Sequence, residues 1–276
     1  MTRFVSNYSI SRRWNNRVII LMMMLLTSLA SFANKTFTVK GVSFTMVAVE
    51  GGTFTMGATS EQGSDAEDDE KPTHQVTLSS YYIGQTEVTQ ALWTAVMGTT
   101  VSQQRDKDDP SYPLSGEGDN FPMYFISWEE CQTFVSKLSE LTGQKFRLPT
   151  EAEWEYACRG GNKSRGYKYS GSNDIDDVAW YWCINVETSS PVATMSPNEL
   201  GIYDMTGNVC EWCQDWYGSY SSSPQTNPTG ATSGSYRVYR GGSWGCPAGG
   251  CRSSIRIYKT PDYRYDDVGL RLALSE

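Results

Sequence analysis

The sequence predicts an α+β fold with little regular secondary structure. Its first half holds three amphipathic segments with helical spacing and recognisable N-terminal caps. After residue 162 there is no long periodic segment, only short strand-like stretches between Gly, Pro and Asn turns. Gly (25), Trp (9) and Tyr (17) are abundant, which favours a loop-rich fold held by aromatic packing over a helical bundle.

The strands are expected early in the chain. Residues 39–57 alternate as a strand, a Gly-Gly turn and a second strand, and residues 75–84 predict a third. The polar and acidic stretch between them, residues 58–72, is typical of a solvated loop. His74, the only histidine, is expected at the surface or at a strand edge, and its solitude nearly excludes catalytic triads built on histidine.

The helices are predicted from their caps. Thr86 is the expected N-cap of a helix over residues 86–97. Two further helices carry capping boxes, in which a hydroxyl and a glutamate three residues later bond each other's backbone. These boxes are Ser127 with Glu130 and Thr150 with Glu153.

The N-terminus resembles a secretory signal peptide. Arg12, Arg13 and Arg17 precede an apolar run over residues 18–29, and small residues follow as far as Ala33. About a dozen apolar residues are fewer than the roughly 20 that span a bilayer. We therefore predict a signal peptide over residues 1–33 and an exported mature protein, periplasmic or secreted, that does not span the membrane. The first cysteine is Cys131, which excludes lipid attachment at the cleavage point.

Residues 34–276 are expected to form a single domain. A chain of 276 residues with 39% hydrophobic residues can bury a sizeable core. The formal net charge of −8 makes nucleic acid an unexpected partner. Phosphate-binding Gly loops and dinucleotide-binding fingerprints are missing from the sequence.

Two cysteines five positions apart, Cys246 and Cys251, lie in the Gly-rich stretch GGSWGCPAGGCRSS. Such a flexible loop gives three alternatives: a disulfide, a metal site or reactive thiols. Export favours the disulfide, because disulfides persist in oxidising compartments. The seven cysteines are an odd number, so at least one thiol is free or bridges to another chain.

Five ordered motifs resemble the formylglycine-generating enzyme (sulfatase-modifying factor) family. They are GGTFTMG, EVT, RLPTEAEWEYACRGG, GIYDMTGNVCEW and RVYRGGSW…CR…VGLR, and the resemblance covers roughly residues 44–274. It implies an irregular C-type-lectin-like fold of the formylglycine-generating enzyme type. It also implies structural calcium.

The resemblance gives the cysteine loop a role. Cys246 and Cys251 match the catalytic pair that binds Cu(I) and uses O₂ to convert a cysteine of a client protein, such as a nascent sulfatase, to formylglycine. The client motif is Cys-x-Pro-x-Arg. Thiolates are soft ligands that select Cu(I). Ser243 and Arg252 match residues that line the cleft and bind substrate.

A calcium site is predicted in GIYDMTGNVCEW. Asp204 and Glu211 lie seven apart around a Gly-Asn turn, and hard oxygen ligands at such spacing suit Ca²⁺. The resemblance implies the side chains of these two acids as ligands, with the carbonyls of Gly207 and Val209. A capped turn with two solvated acids is the alternative. A second family site falls in a segment shortened here, around residues 180–190, and is not predicted.

The remaining cysteines leave alternatives open. Cys210 and Cys213 form a C-x-x-C, which suits a dithiol pair, half a zinc site, or a four-cysteine zinc cluster with the Cys246 pair. A Cys213–Cys251 disulfide would abolish the copper site. Cys158 matches a family disulfide cysteine whose partner position here is Arg256.

Three departures from the family pattern concern the cleft. Cys210 replaces a tryptophan, Asp267 an asparagine, and Gly250 an aromatic residue. Two functions therefore stay open: an exported copper-dependent oxidase, or a non-catalytic secreted binding or scaffold protein of the cell envelope.

Overall fold

The computed structural model describes Met1 and residues 32–183 and 187–276. Contacts divide the chain into Met1–Ala33 and Asn34–Glu276, and the description below concerns the second unit. The predicted signal peptide lies almost entirely outside the described residues, so it stays a prediction. Within the described part, no helix has the length and apolar character that crossing a bilayer requires.

Short strands in three sheets make up most of the regular structure of the described residues. The first sheet has the order β1-β2-β5-β12-β6, the second β10-β9-β7-β11 and the third β3-β4-β8. The strands are β1 Lys35–Val39, β2 Val42–Val49, β3 Gly52–Met56, β4 His74–Leu78, β5 Tyr81–Gly84, β6 Phe146–Arg147, β7 Cys210–Trp216, β8 Gln225–Thr226, β9 Arg237–Arg240, β10 Ile257–Lys259, β11 Val268–Leu270 and β12 Ala273–Ser275.

All α-helices of the described residues lie in the first half of the domain, which confirms the predicted α+β class. Both capping boxes are present with the predicted partners. The helices are α1 Gln90–Met97, α2 Val101–Arg105, α3 Trp128–Thr142 and α4 Glu151–Cys158.

Helix α1 begins later than predicted. Its N-cap is Thr89, whose hydroxyl accepts the backbone N–H of Leu92, and not Thr86. The preceding residues are extended because other segments use their backbone: the N–H of Val88 donates to the carbonyl of Leu270, and the carbonyl of Val88 accepts from Met123. Pairing with distant segments therefore overrides the local helical pattern at 86–88.

Residues 75–84 form two strands instead of one. Strand β4 pairs with β3, whereas β5 pairs with β2 in a different sheet. At the crossing, the N–H of Ser79 donates to the side chain of Asn227, and the hydroxyl of Ser80 accepts from Gly51. The break occurs because one apolar run supplies strands to two sheets.

Helix α4 is buried on every side. Three of its eight residues are glutamates, and each is paired with an arginine from another part of the chain. The pairs are Glu151 with Arg256, Glu153 with Arg147 and Glu155 with Arg240. Since a buried charge without a partner costs several kcal/mol, the pairs of Glu151 and Glu155 make the burial of α4 conditional on the later half of the chain.

The acidic segment before β4 is less solvated than predicted. Glu70 is fully buried and receives the guanidinium of Arg252, at 2.5 and 2.9 Å. His74 is also buried, with only 4% of its surface exposed, and its ring packs 4.9 Å from that of Tyr220. Asp65 and Asp68 stay exposed, so only part of the acidic run is a solvated loop.

Candidate functional site

The loop after β9 brings Cys246 and Cys251 together. Gly242 makes this possible, because a Cβ at that position would lie 2.6 Å from the Cys251 sulfur. The loop then closes with a turn from the N–H of Cys246 to the carbonyl of Ser243 and a short 3-10 helix, Ala248–Cys251. The two thiols predicted as a pair are therefore adjacent in the fold.

Cys246 lies at the centre of a cluster of three thiols. The neighbouring thiols of Cys210 and Cys251 lower the pKa of Cys246 to about 2, although burial opposes them. The proximity of Cys246, together with burial, raises the pKa of Cys210 and of Cys251 well above the usual range. Cys246 is half-buried, whereas the other two are almost fully enclosed. Of the three thiols, Cys246 is therefore the one whose ionisation the cluster favours.

Cys210 reaches this cluster from the adjacent sheet. It begins β7, which pairs in parallel with β11, and its N–H donates to the carbonyl of Asp267 at 2.8 Å. Three possible ligand atoms lie within 4.8 Å of one another here: the sulfurs of Cys210 and Cys246 and a carboxylate oxygen of Asp267. Among the described residues, this is the one group of three His, Cys, Asp or Glu side chains that converges in this way.

Ser243 lies between the cluster and Asp267. Its hydroxyl is 2.7 Å from a carboxylate oxygen of Asp267 and 3.3 Å from the Cys246 sulfur, and it has one proton to donate. Burial, opposed by the bond from Ser243 and assisted by the nearby Cys246, raises the pKa of Asp267 to about 6. Ser243 is fully buried. It contacts the thiol cluster as expected, but the predicted contact with a substrate stays a prediction.

Arg252 points away from the thiols. Its side chain is fully buried, with two bonds to Glu70 and a third from Nε to the carbonyl of Gly249. The resemblance implies that Arg252 lines the cleft. In this structure its side chain instead links the carbonyl of Gly249, in the cysteine loop, to the buried carboxylate of Glu70. Its place directly after the short 3-10 helix turns it inward, and the predicted substrate contact stays untested.

The C-x-x-C pair is split by strand geometry. Successive residues of a strand point to opposite faces, so positions three apart cannot share a face. Accordingly, Cys210 joins the thiol cluster, whereas Cys213 packs in the main core with Trp154 and Val238. All seven cysteines are unbridged, and Cys158 is a buried free thiol. A dithiol pair or a four-cysteine cluster that uses both Cys210 and Cys213 does not form.

The residues of the predicted calcium site lie in a buried acidic pocket. Asp204 and Glu211 are both buried, and a third acid, Glu87, packs beside them. Burial and then the two neighbouring carboxylates raise the pKa of Glu87 well above its usual range, and burial raises that of Asp204 to about 6. Three acids here face one guanidinium, that of Arg271, so the pocket has an excess of negative charge that a divalent cation would offset.

The ligand shell itself is less complete. Both oxygens of Glu211 bond to Arg271, and one also accepts from Trp154 at 2.6 Å. One oxygen of Asp204 accepts from the N–H of Ala193, and the N–H of Val209 donates to Glu87. The pocket fits calcium in charge and in oxygen chemistry, whereas Glu211 already has partners for both of its oxygens.

Comparison with known proteins identifies the family of this chain. The sequence profile of the "Sulfatase-modifying factor enzyme 1-like domain" matches residues 34–276, which contain the thiol cluster and the acidic pocket. The chain belongs to the sulfatase-modifying factor family. Its irregular C-type-lectin-like fold, predicted from the motifs, is thereby confirmed.

Relatives within this family have different names. "Chaperone protein LppX" of Paenibacillus barcinonensis is 31% identical, over 84% of this chain and 88% of its own. "Formylglycine-generating enzyme" of Streptomyces coelicolor is 28% identical, over 82% and 88%. Among solved structures, "Treponema denticola variable protein 1" is 33% identical with a TM-score of 0.74, covering 88% of this chain and 99% of its own.

The sequence pattern does not predict the convergence of Cys210 with Asp267. Both residues depart from the family pattern, but they lie 57 positions apart in the sequence. One signal is present in the sequence: both departures fall in motifs that the resemblance assigns to the cleft. The sequence does not provide the parallel pairing of β7 with β11, which places the two residues side by side.

A second acidic group, away from the thiols, predicts a pH effect. Asp215 borders a cavity of about 460 Å³. Burial, and then the nearby Glu151, raise its pKa well above the usual range, although the N–H of Glu151 lowers it. The folded state therefore binds the Asp215 proton more tightly than the unfolded state. This contribution to stability is present at low pH and is lost as the pH rises through the folded pKa.

Asp215→Asn should remove this loss of stability at higher pH. Relative to the parent protein, the free energy of unfolding of the variant should rise with pH, by about 1.4 kcal/mol per unit of raised pKa that the scan crosses. Urea unfolding at pH 4.5, 6 and 7.5 measures the difference. A difference that stays constant over this range would show that Asp215 does not titrate there.

Proposed function

We propose that this chain binds Cu(I) through Cys246 and Cys251 and oxidises a cysteine of an exported client protein, such as a nascent sulfatase, to formylglycine. The observation that carries the proposal is that Cys246 and Cys251 lie side by side at the two family positions, with the Cys251 sulfur 4.0 Å from the carbonyl oxygen of Cys246. The lowered pKa of half-buried Cys246 favours the thiolate, which is the form that binds a soft metal ion.

The residues present fit a two-thiolate Cu(I) site. Cys246 and Cys251 would hold the ion, and Ser243 would hold the Cys246 sulfur from the side. When bound, Cu(I) would supply the redox centre for O₂. In the overall reaction the client C–S bond is replaced by C=O and sulfur leaves as H₂S. The client thiol, O₂ and two external thiols give the aldehyde, H₂S, one water and one disulfide, so the external thiols supply two electrons and two protons.

Copper binding is the first test. Reduced, metal-free protein should take up one Cu(I) per chain in competition with a colorimetric Cu(I) chelator. Cys246→Ser and Cys251→Ser should each lower the affinity at least a hundredfold, because a hydroxyl is a hard, poorly acidic donor that cannot replace a thiolate. Cys183→Ser is the matched control, since that thiol is exposed and outside the cluster, and it should bind as the parent does.

Turnover is the second test. The copper-loaded protein with O₂ and a thiol reductant should convert a Cys-x-Pro-x-Arg peptide to the aldehyde, detected by mass spectrometry. Equal conversion by Cys246→Ser, or no copper uptake by the parent protein, would contradict the oxidase.

A non-catalytic binding or scaffold protein is the second candidate. What favours it is the surroundings of the thiols: the Cys210 sulfur lies within 4.8 Å of the Cys246 sulfur, and the two predicted substrate residues, Ser243 and Arg252, are fully buried. Tight Cu(I) binding without any peptide oxidation would support this candidate.

We also propose that Ca²⁺ stabilises the fold at Asp204, Glu211 and the carbonyls of Gly207 and Val209. A ligand that binds only the folded state adds RT ln(1 + [L]/Kd), about 2.7 kcal/mol at a hundredfold excess over Kd. Chelation should therefore lower the melting temperature, and Asp204→Ala should abolish that response. Exposed Asp108→Ala is the control. A melting temperature indifferent to chelator would contradict the site.

A further inference from the structure

Cys246 has a second set of partners besides Cys251. The sulfurs of Cys210 and Cys246 and a carboxylate oxygen of Asp267 lie within 4.8 Å of one another. The Cys251 sulfur is not part of this converging group; it bonds toward the carbonyls of Ser243 and Cys246, at 3.8 and 4.0 Å. Cys246 thus adjoins Cys251 and also belongs to the separate group that it forms with Cys210 and Asp267.

The second group is held by backbone pairing on both sides. On the sheet side, Val268 of β11 is in register with Cys210 of β7, so Asp267 is anchored beside the first thiol. On the loop side, the N–H of Trp244 donates to the carbonyl of Asn208, and the carbonyl of Cys246 accepts from Trp182. The three donors therefore do not depend on a freely moving side chain.

We propose that Cys210, Cys246 and Asp267 form a Zn²⁺ site that overlaps the Cu(I) pair. Two thiolates and a carboxylate are all zinc ligands, with bonds of about 2.3 Å to sulfur and about 2.0–2.2 Å to oxygen. Tetrahedral bonds of that length separate the ligand atoms by about 3.5–4 Å. A cluster within 4.8 Å therefore needs only a small contraction around the ion.

The donor set distinguishes the two metals. A carboxylate is a hard ligand that suits zinc and adds little to Cu(I), which selects soft thiolates. Three protein ligands leave a fourth tetrahedral position for water or an external ligand. Because both sites need the Cys246 thiolate, zinc at one excludes copper at the other. Only this exclusion rests on the proposed function; the zinc site itself does not.

Co²⁺ is the probe for the zinc site. Reduced, metal-free protein should bind one Co²⁺ per chain with a thiolate-to-cobalt band in the near ultraviolet and intense visible bands of tetrahedral cobalt. Zn²⁺ should displace it. Cys210→Ser and Cys246→Ser should weaken Co²⁺ binding at least a hundredfold, and Asp267→Asn at least tenfold. Cys251→Ser should retain the spectrum.

Cu(I) titration of the same variants separates the two proposals. Cys251→Ser should lose Cu(I) but keep Co²⁺, whereas Cys210→Ser should lose Co²⁺ but keep Cu(I). If Cu(I) binding fails in the parent while the Co²⁺ pattern holds, the oxidase is wrong and the zinc site stands. Melting curves of each variant establish that it is folded.

Two results would overturn the zinc site. One is a Co²⁺ spectrum that is equal in Cys210→Ser and the parent, or that lacks a thiolate band. The other is a Cys210–Cys246 disulfide in the purified protein that mild reductant does not open and that blocks metal uptake, found by mass mapping after alkylation.

Discussion

Replacing Arg271 with leucine should lower the free energy of unfolding by about 3–5 kcal/mol. Arg271 is fully buried and gives three bonds to Glu211, at 2.6–3.0 Å, so its loss leaves a buried carboxylate without its cation. The loss also removes donors from the carbonyls of Gly84 and Tyr203. The buried acids Glu87 and Asp204 would then face no positive charge.

Arg264→Leu is the matched control. Arg264 also pairs with a glutamate, Glu130, at 3.1 Å, but a quarter of its side chain is exposed (26%). A pair at the surface contributes about 0–1 kcal/mol because water screens it. Urea unfolding of both variants, with Ca²⁺ present and absent, measures the contrast. Equal losses in the two variants would show that burial does not set the strength of these pairs.

Gly207→Ala should be the most damaging glycine substitution tested, with a loss of about 3 kcal/mol or more. Gly207 has φ +78°, a conformation that costs a residue with a side chain about 1–2 kcal/mol. In addition, an alanine Cβ would lie 2.1 Å from the carbonyl oxygen of Trp180. That oxygen accepts the N–H of Asn208 at 2.7 Å, so relief of the clash breaks a buried bond.

Gly143→Ala isolates the two effects. Gly143 ends α3 with a similar φ of +69°, but a Cβ there would meet nothing within 4 Å. Its substitution should cost only the conformational strain, about 1–2 kcal/mol. The difference between the two variants in urea unfolding therefore measures the close approach at Gly207. Similar losses for both would mean that the backbone at Trp180 moves freely to accept the new group.

Much of the local structure could be predicted from the sequence. The boxes of Ser127 with Glu130 and of Thr150 with Glu153 use atoms at most three residues apart, so no other part of the chain is needed to form them. Thr86 failed as a cap for the opposite reason. The residues after it pair with Leu270 and Met123, which lie far away in sequence.

The site was predicted in part. The sequence identified Cys246 and Cys251 as a pair, since their spacing and flanking motif are local. It did not separate Cys210 from Cys213, because the faces of a strand matter only once the strand is known to exist. The buried roles of Glu70 and Arg252 were also missed, since these residues are 182 positions apart.

By itself, the sequence determined the family, the α+β class, the helix caps and the position of the paired thiols. These features depend on ordered motifs and on contacts within a few residues. The tertiary structure decided which charges are buried, which face each cysteine occupies, and that Cys210 and Asp267 meet Cys246. Those outcomes follow from strand pairing and close packing between distant segments, whose free energy exceeds any local preference of the residues involved.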